Sequence, residues 1–305
     1  MTTRPVLVVG GGPAGSVTAL RLARAGHPVV VVDRREFPRA KACGECANPG
    51  TVSALRELGL AERVAGMRPG RLRGWEIQMP SGRLLSAPFG AGVETWTVER
   101  ARFDEALLAA AGEAGADIRT GVTFEGVDEL DAEGGAVHLR TPSGRRELVR
   151  ISRLVGADGL HSRVRAALDL DRPTRLRKVG ISMHVAAPAG GPGLDPEWGR
   201  LRLDPSATLG LSALDPAGER WTLVHVARLD TGGTPSVPRS SEALLAAAAR
   251  HVPELRGATP VGPVRGSGPY DRPVRRPWVL GAILVGDAAG YFDPVTGQGI
   301  GRAIG

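Results

Sequence analysis

The chain opens with a short apolar run, residues 6–9, that breaks into glycines and is followed by apolar positions at helical spacing over residues 16–25. A second β-branched run occupies residues 29–32. Short β-branched runs predict buried strands, and helical spacing between them predicts a connecting helix. The start of the chain is therefore predicted to be a β–α–β unit of a parallel sheet.

Further along, the pattern changes to short strands broken by a few helical segments. Asn48 before Pro49 predicts a helix that Gly59 ends, and residues 102–114 also repeat apolar positions at helical spacing. Residues 179–229 are mostly β in pattern and indicate a second, antiparallel sheet. The remaining predictions are a hairpin over 73–86, strands over 95–98, 117–122, 127–130, 136–141, 147–154 and 279–285, and helices over 242–251 and from residue 297.

Composition narrows the function classes. The net charge is +7, but the arginines are scattered and aromatic residues are only 4% of the chain, which argues against a nucleic-acid-binding face. No run of eighteen apolar residues exists and the start lacks a signal-peptide pattern, so we expect no transmembrane segment and a cytoplasmic protein.

The glycine-rich break carries the first candidate chemistry. Gly10, Gly12 and Gly15 form G-x-G-x-x-G, with Pro13 and Ala14 between the last two, directly between the predicted strand and helix. This pattern lets a pyrophosphate approach the main chain at a helix N-terminus. Asp33 closes the second strand, where a carboxylate accepts hydrogen bonds from ribose hydroxyls. The segment is predicted to bind a dinucleotide.

The two cysteines form the most ambiguous element, Lys41-Ala-Cys-Gly-Glu-Cys46. The C-x-x-C spacing is compatible with a redox pair that exchanges electrons with a cofactor. It is also half of a zinc site, but no further cysteine exists to complete one, and we predict no metal. The role of the pair stays open.

Three separated segments resemble one family when taken in order. They are the glycine fingerprint, Gly156-Ala-Asp-Gly159 followed by Ser162, and Gly286-Asp287 followed by Pro294 and Gly297-Gln-Gly299. Together they resemble the single-component FAD-dependent monooxygenases of the aromatic-hydroxylase type and their relatives, the geranylgeranyl reductases and the flavin-dependent halogenases. The resemblance covers the whole chain.

The resemblance implies a set of FAD-binding residues. Asp287 would bind the ribityl chain, the loop from Pro294 would face the pyrimidine end of the flavin, and Asp158 and Gly159 match a motif linked to FAD and nicotinamide. Arg100 matches an arginine near the cofactor, and Cys43-Gly44 matches a loop of the reductase branch in which only the first cysteine is typical. Arg163 or Arg165 either reaches a phosphate or is an unpaired surface arginine. The predicted FAD site is Gly10, Gly12, Pro13, Ala14, Gly15, Asp33, Arg34, Cys43, Gly44, Arg100, Asp158, Gly159, Asp287, Pro294, Gly297, Gln298, Gly299 and Ile300.

The resemblance also implies a domain organisation. The fold class is α/β, with a Rossmann-like FAD-binding domain interleaved with a mostly antiparallel β substrate domain. The FAD-binding domain is expected at residues 1–70, 95–178 and 265–305, with its C-terminal helix cut off. The substrate domain is expected at residues 71–94 and 179–264.

The reaction implied first is that of an NAD(P)H-dependent monooxygenase, which hydroxylates or epoxidises a medium-sized apolar or aromatic metabolite with molecular oxygen through a flavin hydroperoxide. A geranylgeranyl-reductase-like enzyme that reduces C=C bonds is the alternative, since Asp293-Pro-Val-Thr-Gly297 resembles the matching motif of that branch. The Tyr-x-Trp-x-Phe-Pro segment that is typical of the branch is missing from this chain. A non-catalytic flavin-binding fragment is a further alternative. The absence of a Trp-x-Trp-x-Ile-Pro segment argues against a halogenase. His184, His225 and Trp221 are interpreted as packing residues, so no catalytic residue is predicted.

Overall fold

A computed structural model describes residues 4–174, 178–188, 193–205, 207–229 and 237–305. Outside the described residues lie 1–3 and 175–177, and also 189–192, 206 and 230–236, which belong to the predicted substrate domain. In chain order the strands are β1 (Val6–Val9), β2 (Val29–Val32), β3 (Cys46–Ala47), β4 (Gly70–Leu72), β5 (Gly74–Gln78), β6 (Leu84–Pro88), β7 (Thr95–Thr97), β8 (Asp117–Arg119), β9 (Thr123–Leu130), β10 (Gly135–Arg140), β11 (Arg146–Ile151), β12 (Arg153–Gly156), β13 (Lys178–Ala186), β14 (Trp198–Leu203), β15 (Ala207–Ala213), β16 (Arg220–Arg228), β17 (Thr259–Ser267), β18 (Trp278–Val279) and β19 (Ala282–Leu284). The helices are α1 (Pro13–Arg24), α2 (Pro49–Glu57), α3 (Ala61–Ala65), α4 (Arg100–Glu113), α5 (Arg163–Ala167), α6 (Ser241–Ala249) and α7 (Gly299–Ile304), and 3₁₀ turns occupy Pro253–Leu255, Gly286–Ala289 and Pro294–Thr296.

The first strand lies inside a six-stranded sheet of order β18-β19-β12-β1-β2-β8, parallel except for the β18–β19 pair. Both faces of β1 are buried: Val8 packs in a cluster with α1 and α4, while Leu7 and Val9 pack on the opposite face. Burial on both faces explains why the strand is apolar throughout, as strands of covered parallel sheets are. The predicted β–α–β start is confirmed.

A second sheet of seven strands has the order β17-β13-β16-β15-β14-β5-β6 and is antiparallel except between β14 and β5. One of its faces packs against α6, where Met183, Leu211 and Leu223 join Leu244 in a buried cluster. Three-stranded sheets β11-β10-β9 and β3-β7-β4 complete the fold. The architecture is the predicted α/β fold with a mostly antiparallel second sheet.

Several predicted boundaries are wrong. The single strand predicted over 147–154 is two strands, because β11 pairs with β10 and β12 pairs with β1 in a different sheet. The strand predicted over 279–285 is a hairpin, β18 and β19, that turns at Gly281 with φ +82°. The helix predicted from residue 297 begins at Gly299, since Gly297 is left-handed with φ +62°. Apolar runs do not reveal a change of partner strand, which explains the two merged strands.

Candidate functional site

A cleft of about 1200 Å³ lies between the ends of the parallel strands and the seven-stranded sheet. The residues predicted from the glycine fingerprint and from the two later motifs converge on it from distant parts of the chain. Of the predicted FAD-binding residues, those that line the cleft are Gly10, Gly12, Pro13, Ala14, Asp33, Arg34, Cys43, Gly44, Arg100, Asp158, Gly159, Asp287, Pro294, Gly297, Gly299 and Ile300. Gly15 and Gln298 are not among its lining residues.

The glycine turn, residues 10–15, brings β1 directly onto the start of α1. A Cβ on Gly15 would lie 1.8 Å from the carbonyl oxygen of Gly10, so only glycine allows this contact. The first turn of α1 contains no acidic residue, and Gly12 at its N-cap offers no side chain to its amides. Uncapped amides at a helix N-terminus attract phosphate. The glycine turn therefore has the geometry that a pyrophosphate requires.

Asp33 sits beside the glycine turn at the end of β2. Its Oδ2 accepts a hydrogen bond from the amide of Gly11 at 2.8 Å, and its Oδ1 accepts one from the amide of Arg35 at 2.9 Å. Because each carboxylate oxygen accepts more than one hydrogen bond, both oxygens keep acceptor capacity for a ribose.

Arg39, which the sequence analysis missed, reaches the same place. Its guanidinium lies 3.8 Å from the Asp33 carboxylate and 3.6 Å from that of Asp104, with its Cζ 4.8 Å from the ring centre of Phe37. A Cβ on Gly12 would be 3.3 Å from Arg39 Nη2, so this cation borders the glycine turn.

Asp158 lines the cleft, but its carboxylate is engaged in capping α5. Oδ1 accepts from the hydroxyl of Ser162 at 2.5 Å, and Oδ2 accepts from the amides of Arg163 and Val164 at 2.6 and 3.2 Å. Arg165 is buried and donates to Asp171 and to two main-chain carbonyls, so it is not an unpaired surface arginine. Of the two arginines considered, only Arg163 lines the cleft.

Arg100 is the first residue of α4 and is buried. Its guanidinium donates two hydrogen bonds of 2.7 Å to the Asp104 carboxylate, one to each oxygen. Burial by itself would lower the pKa of Arg100, but the Asp104 carboxylate and the side chain of Cys43 outweigh burial and raise the pKa above its ordinary value. A permanent cation therefore lies at the wall of the cleft. A positive charge is unfavourable at a helix N-terminus, and the Asp104 carboxylate compensates for it.

The thiol loop, residues 41–46, connects the two halves of the cleft. The amide of Cys43 donates to Ser182 Oγ of β13 at 3.2 Å. Glu45 has φ +57° and is buried; its Oε1 accepts from the amide of Arg100 at 3.0 Å, and its Oε2 lies 2.8 Å from His184 Nε2. His184 is thus more than the packing residue that the sequence suggested. No local signal pairs Glu45 with a histidine 139 positions away.

The two cysteines of the thiol loop differ in environment. Both are free, and Cys43 Sγ accepts from the amide of Glu45 at 3.2 Å. Burial, with a smaller contribution from Cys43, raises the pKa of the Cys46 thiol to about 12. Cys46 therefore stays a protonated thiol at neutral pH and is a poor nucleophile, which does not favour the redox-pair interpretation.

The last cleft wall comes from the C-terminal segment. Asp287 lies in a 3₁₀ turn just after β19, with its Oδ2 3.3 Å from Lys41 Nζ. Asp293 caps the next 3₁₀ turn and forms an ion pair with Lys178. Among the described residues no group of three or more His, Cys, Asp or Glu side chains could hold a metal ion. Nowhere in the described ranges is a helix long and apolar enough to cross a membrane.

These features fit FAD. The uncapped start of α1 suits the pyrophosphate, Asp33 suits the adenosine ribose, and Asp287 adds a carboxylate to the lining of the same cleft.

Comparison with known proteins gives the same result. Residues 3–305 match the family model described as FAD binding domain. The chain is 30% identical over 304 residues to a digeranylgeranylglycerophospholipid reductase of Methanosarcina acetivorans, covering 98% of this chain and 72% of that protein. It is also 30% identical over 332 residues to a menaquinone reductase of Mycolicibacterium smegmatis, covering 98% of this chain and 74% of that protein.

Among solved structures, the myxobacterial chondrochloren halogenase, an FAD-dependent halogenase, superposes with a TM-score of 0.82 at 24% identity. The match covers 99% of this chain and 72% of that one, and at this identity it shows the fold alone. With the family match over nearly the whole chain and a cleft that fits the cofactor, the chain belongs to the FAD binding domain family and is an FAD-dependent oxidoreductase.

Proposed function

We propose that this oxidoreductase reduces carbon–carbon double bonds of an apolar, isoprenoid-type molecule. The observation that carries the proposal is the thiol of Cys43, which lines the cleft beside the Arg100 guanidinium, between the cofactor motifs and the seven-stranded sheet. The names of the two relatives support it, since one is a reductase of a geranylgeranyl lipid and the other of menaquinone. Of the two functions that the family resemblance implies, we therefore propose the C=C reductase and not the monooxygenase.

The residues proposed to hold FAD are those of the predicted site that line the cleft other than Cys43, with Arg39 added at the glycine turn. FAD bound there, once reduced by an external electron donor, would supply the hydride that one carbon of a double bond needs. The other carbon needs a proton, and we assign this proton to the Cys43 thiol. Arg100 then stabilises the thiolate that remains, because a buried guanidinium next to a thiolate favours the charged form. Solvent returns the proton.

We further propose that the domain division predicted from the sequence applies to function. Residues 71–94 and 179–264 would supply the substrate side, and residues 1–70, 95–178 and 265–305 the cofactor side. The support is that β5, β6 and the strands from β13 to β17 form one sheet that borders the cleft.

The test uses the purified chain loaded with FAD, reduced anaerobically with dithionite, and incubated with geranylgeraniol. Mass spectrometry should detect a gain of two hydrogen atoms per reduced double bond. Cys43→Ser should retain FAD but lower the rate at least about tenfold, as removal of a proton donor does, while Cys46→Ser serves as the matched control. FAD binding without any hydrogen gain in the wild type would refute the reductase proposal.

The monooxygenase is the second candidate, favoured by the apolar side chains of Leu160 and Val224 on the cleft wall, which would exclude water from an oxygen-transfer reaction. NAD(P)H and molecular oxygen are its proposed co-substrates. With NADPH or NADH in air, this function predicts substrate-dependent nicotinamide oxidation and a product that has gained one oxygen atom. That outcome would replace the reductase proposal.

A further inference from the structure

One row of residues crosses the seven-stranded sheet from the cleft to its outer edge. Backbone pairing aligns the row strand by strand, from β13 through β16, β15, β14 and β5 to β6. Its members, which we call the cross-strand row, are Ser182, Val224, Gly210, Leu201, Ile77 and Leu85. Paired residues of neighbouring strands point to the same face, so these side chains lie side by side.

The two faces of this sheet are covered differently. On the face opposite the cross-strand row, Met183, Leu211 and Leu223 are at most 1% exposed beneath α6. On the row's own face, Val224 and Leu201 are partly exposed although their strands are interior, and Leu85 at the edge is 36% exposed. Within the described part of the chain, this face therefore keeps an apolar surface without a complete cover.

Gly210 makes a notch in the middle of the row. A Cβ placed there would have only Leu201, at 3.4 Å, and Val224, at 4.0 Å, within 4 Å among the described residues. The absence of a side chain thus leaves open space between two apolar neighbours. The backbone of Gly210 is not left-handed, so a larger residue can be introduced without backbone strain.

The inner end of the row lies in the cleft, because Ser182 and Val224 are among the residues that line it. Its first member, Ser182, accepts the hydrogen bond from the amide of Cys43, and a Cβ on Gly44 would lie 3.7 Å from Val224. Five strand-to-strand steps of about 4.8 Å each give the row a length of about 24 Å. Beyond Ser182 it contains no polar side chain.

The charged residues of β14 do not interrupt it. Arg200 pairs in register with Leu211, and Arg202 with Leu209, so both arginines belong to the face that packs on α6. Arg200 is also paired with Glu76 of β5 at 3.3 Å. The row is therefore uncharged and crosses six strands, which suits a linear apolar chain and not a flat polar metabolite.

We infer that the cross-strand row binds the apolar tail of the substrate, with the reacting end at the thiol loop and the far end of the tail at Leu85. This inference rests on the proposed reductase function for the identity of the substrate. It assigns substrate selectivity by tail length to Gly210, Leu201, Ile77 and Leu85.

The test is the affinity for geraniol, farnesol and geranylgeraniol, which carry two, three and four isoprene units, measured by calorimetry on the FAD-loaded chain without a reductant. Affinity in the wild type should rise on the order of tenfold per added unit, because each unit buries further apolar surface. Gly210→Val should abolish this rise while leaving geraniol binding within about twofold of the wild type. Leu85→Glu should weaken only geranylgeraniol.

Leu84→Glu is the matched control, since Leu84 is 58% exposed on the same strand but pairs with Gln78 on the opposite face. It should change none of the affinities. Equal loss for all three alcohols in Gly210→Val, or equal effects of Leu84→Glu and Leu85→Glu, would overturn the inference. The inference would also be overturned if the wild type proved to be a dimer and Leu85→Glu a monomer with unaltered affinities. That result would identify the row as an interface between two copies of the chain.

The binding readout separates the two proposals. Graded binding that Gly210→Val abolishes, with no reduction of the bound alcohol, supports the tail site and refutes the reductase. Reduction at rates that neither tail length nor Gly210→Val alters supports the reductase and refutes the tail site.

Discussion

The glycine turn and the thiol loop line the same cleft, but they are held in place by different kinds of contact. The glycine turn is packed against main-chain atoms, with Gly15 on the carbonyl of Gly10 and Gly10 on the carbonyl of Ala157. The thiol loop is fixed by side chains of β13, 139 positions away, through Ser182 and His184. The first geometry leaves no room for a Cβ, whereas the second depends on side-chain hydrogen bonds to a partner sheet.

The largest expected effect tests the main-chain packing of the glycine turn. In Gly15→Ala the new methyl group would lie 1.8 Å from the Gly10 carbonyl oxygen, so β1 and α1 must separate. We expect a loss of about 4 kcal/mol in the free energy of unfolding together with loss of FAD binding. Thermal unfolding and the flavin absorbance of the purified protein measure both effects.

Gly126→Ala is the control for that change, because a Cβ on this β9 residue would meet nothing within 4 Å among the described residues. Its unfolding temperature and flavin content should match those of the wild type. A Gly15→Ala protein that still carried its full complement of FAD would show that the glycine turn is not held by close packing.

The next effect tests the side-chain contacts of the thiol loop. Glu45→Ala removes the acceptor for the amide of Arg100 and the partner of His184, and it leaves buried polar groups without hydrogen bonds. We expect about 2–3 kcal/mol of destabilisation, and about half of that in Glu45→Gln, whose amide keeps one acceptor. Denaturant unfolding provides the measurement.

The exposed Glu57→Ala gives the reference for losing a surface carboxylate, expected at less than about 0.5 kcal/mol. Equal stabilities of Glu45→Ala and Glu57→Ala would mean that the thiol loop does not depend on its contacts with β13 and α4.

The smallest effect sharpens the comparison inside the thiol loop itself. Because burial raises the pKa of Cys46 to about 12, its thiolate fraction stays negligible from pH 7 to pH 9. In Cys43→Ser, alkylation of the remaining cysteine by iodoacetamide should therefore stay slow and nearly independent of pH over that range. Peptide mass spectrometry follows the reaction. A rate that rises through pH 8.5, as for an ordinary thiol, would contradict the raised pKa of Cys46.

The distance in the chain between contacting residues explains what could be predicted from the sequence. The β–α–β start follows from residues adjacent in the chain, and so do the start of α2, where Asn48 accepts from Thr51, and the position of Asp33. The partner of Glu45, the capping role of Asp158 and the position of Arg39 depend on which strands and turns meet in space. Apolar periodicity carries no information about such pairing, which is also why 147–154 was predicted as one strand.

The position of β1 in its sheet has a consequence during synthesis on the ribosome. The strand that flanks β1 on one side, β12, is translated more than 140 residues later, and β19 must follow before β12 itself is covered. Until then the nascent chain carries an apolar strand with a free edge, the kind of edge that pairs with other chains. High yield of this protein in cells should therefore depend on chaperones that bind the first strand until the last ones emerge.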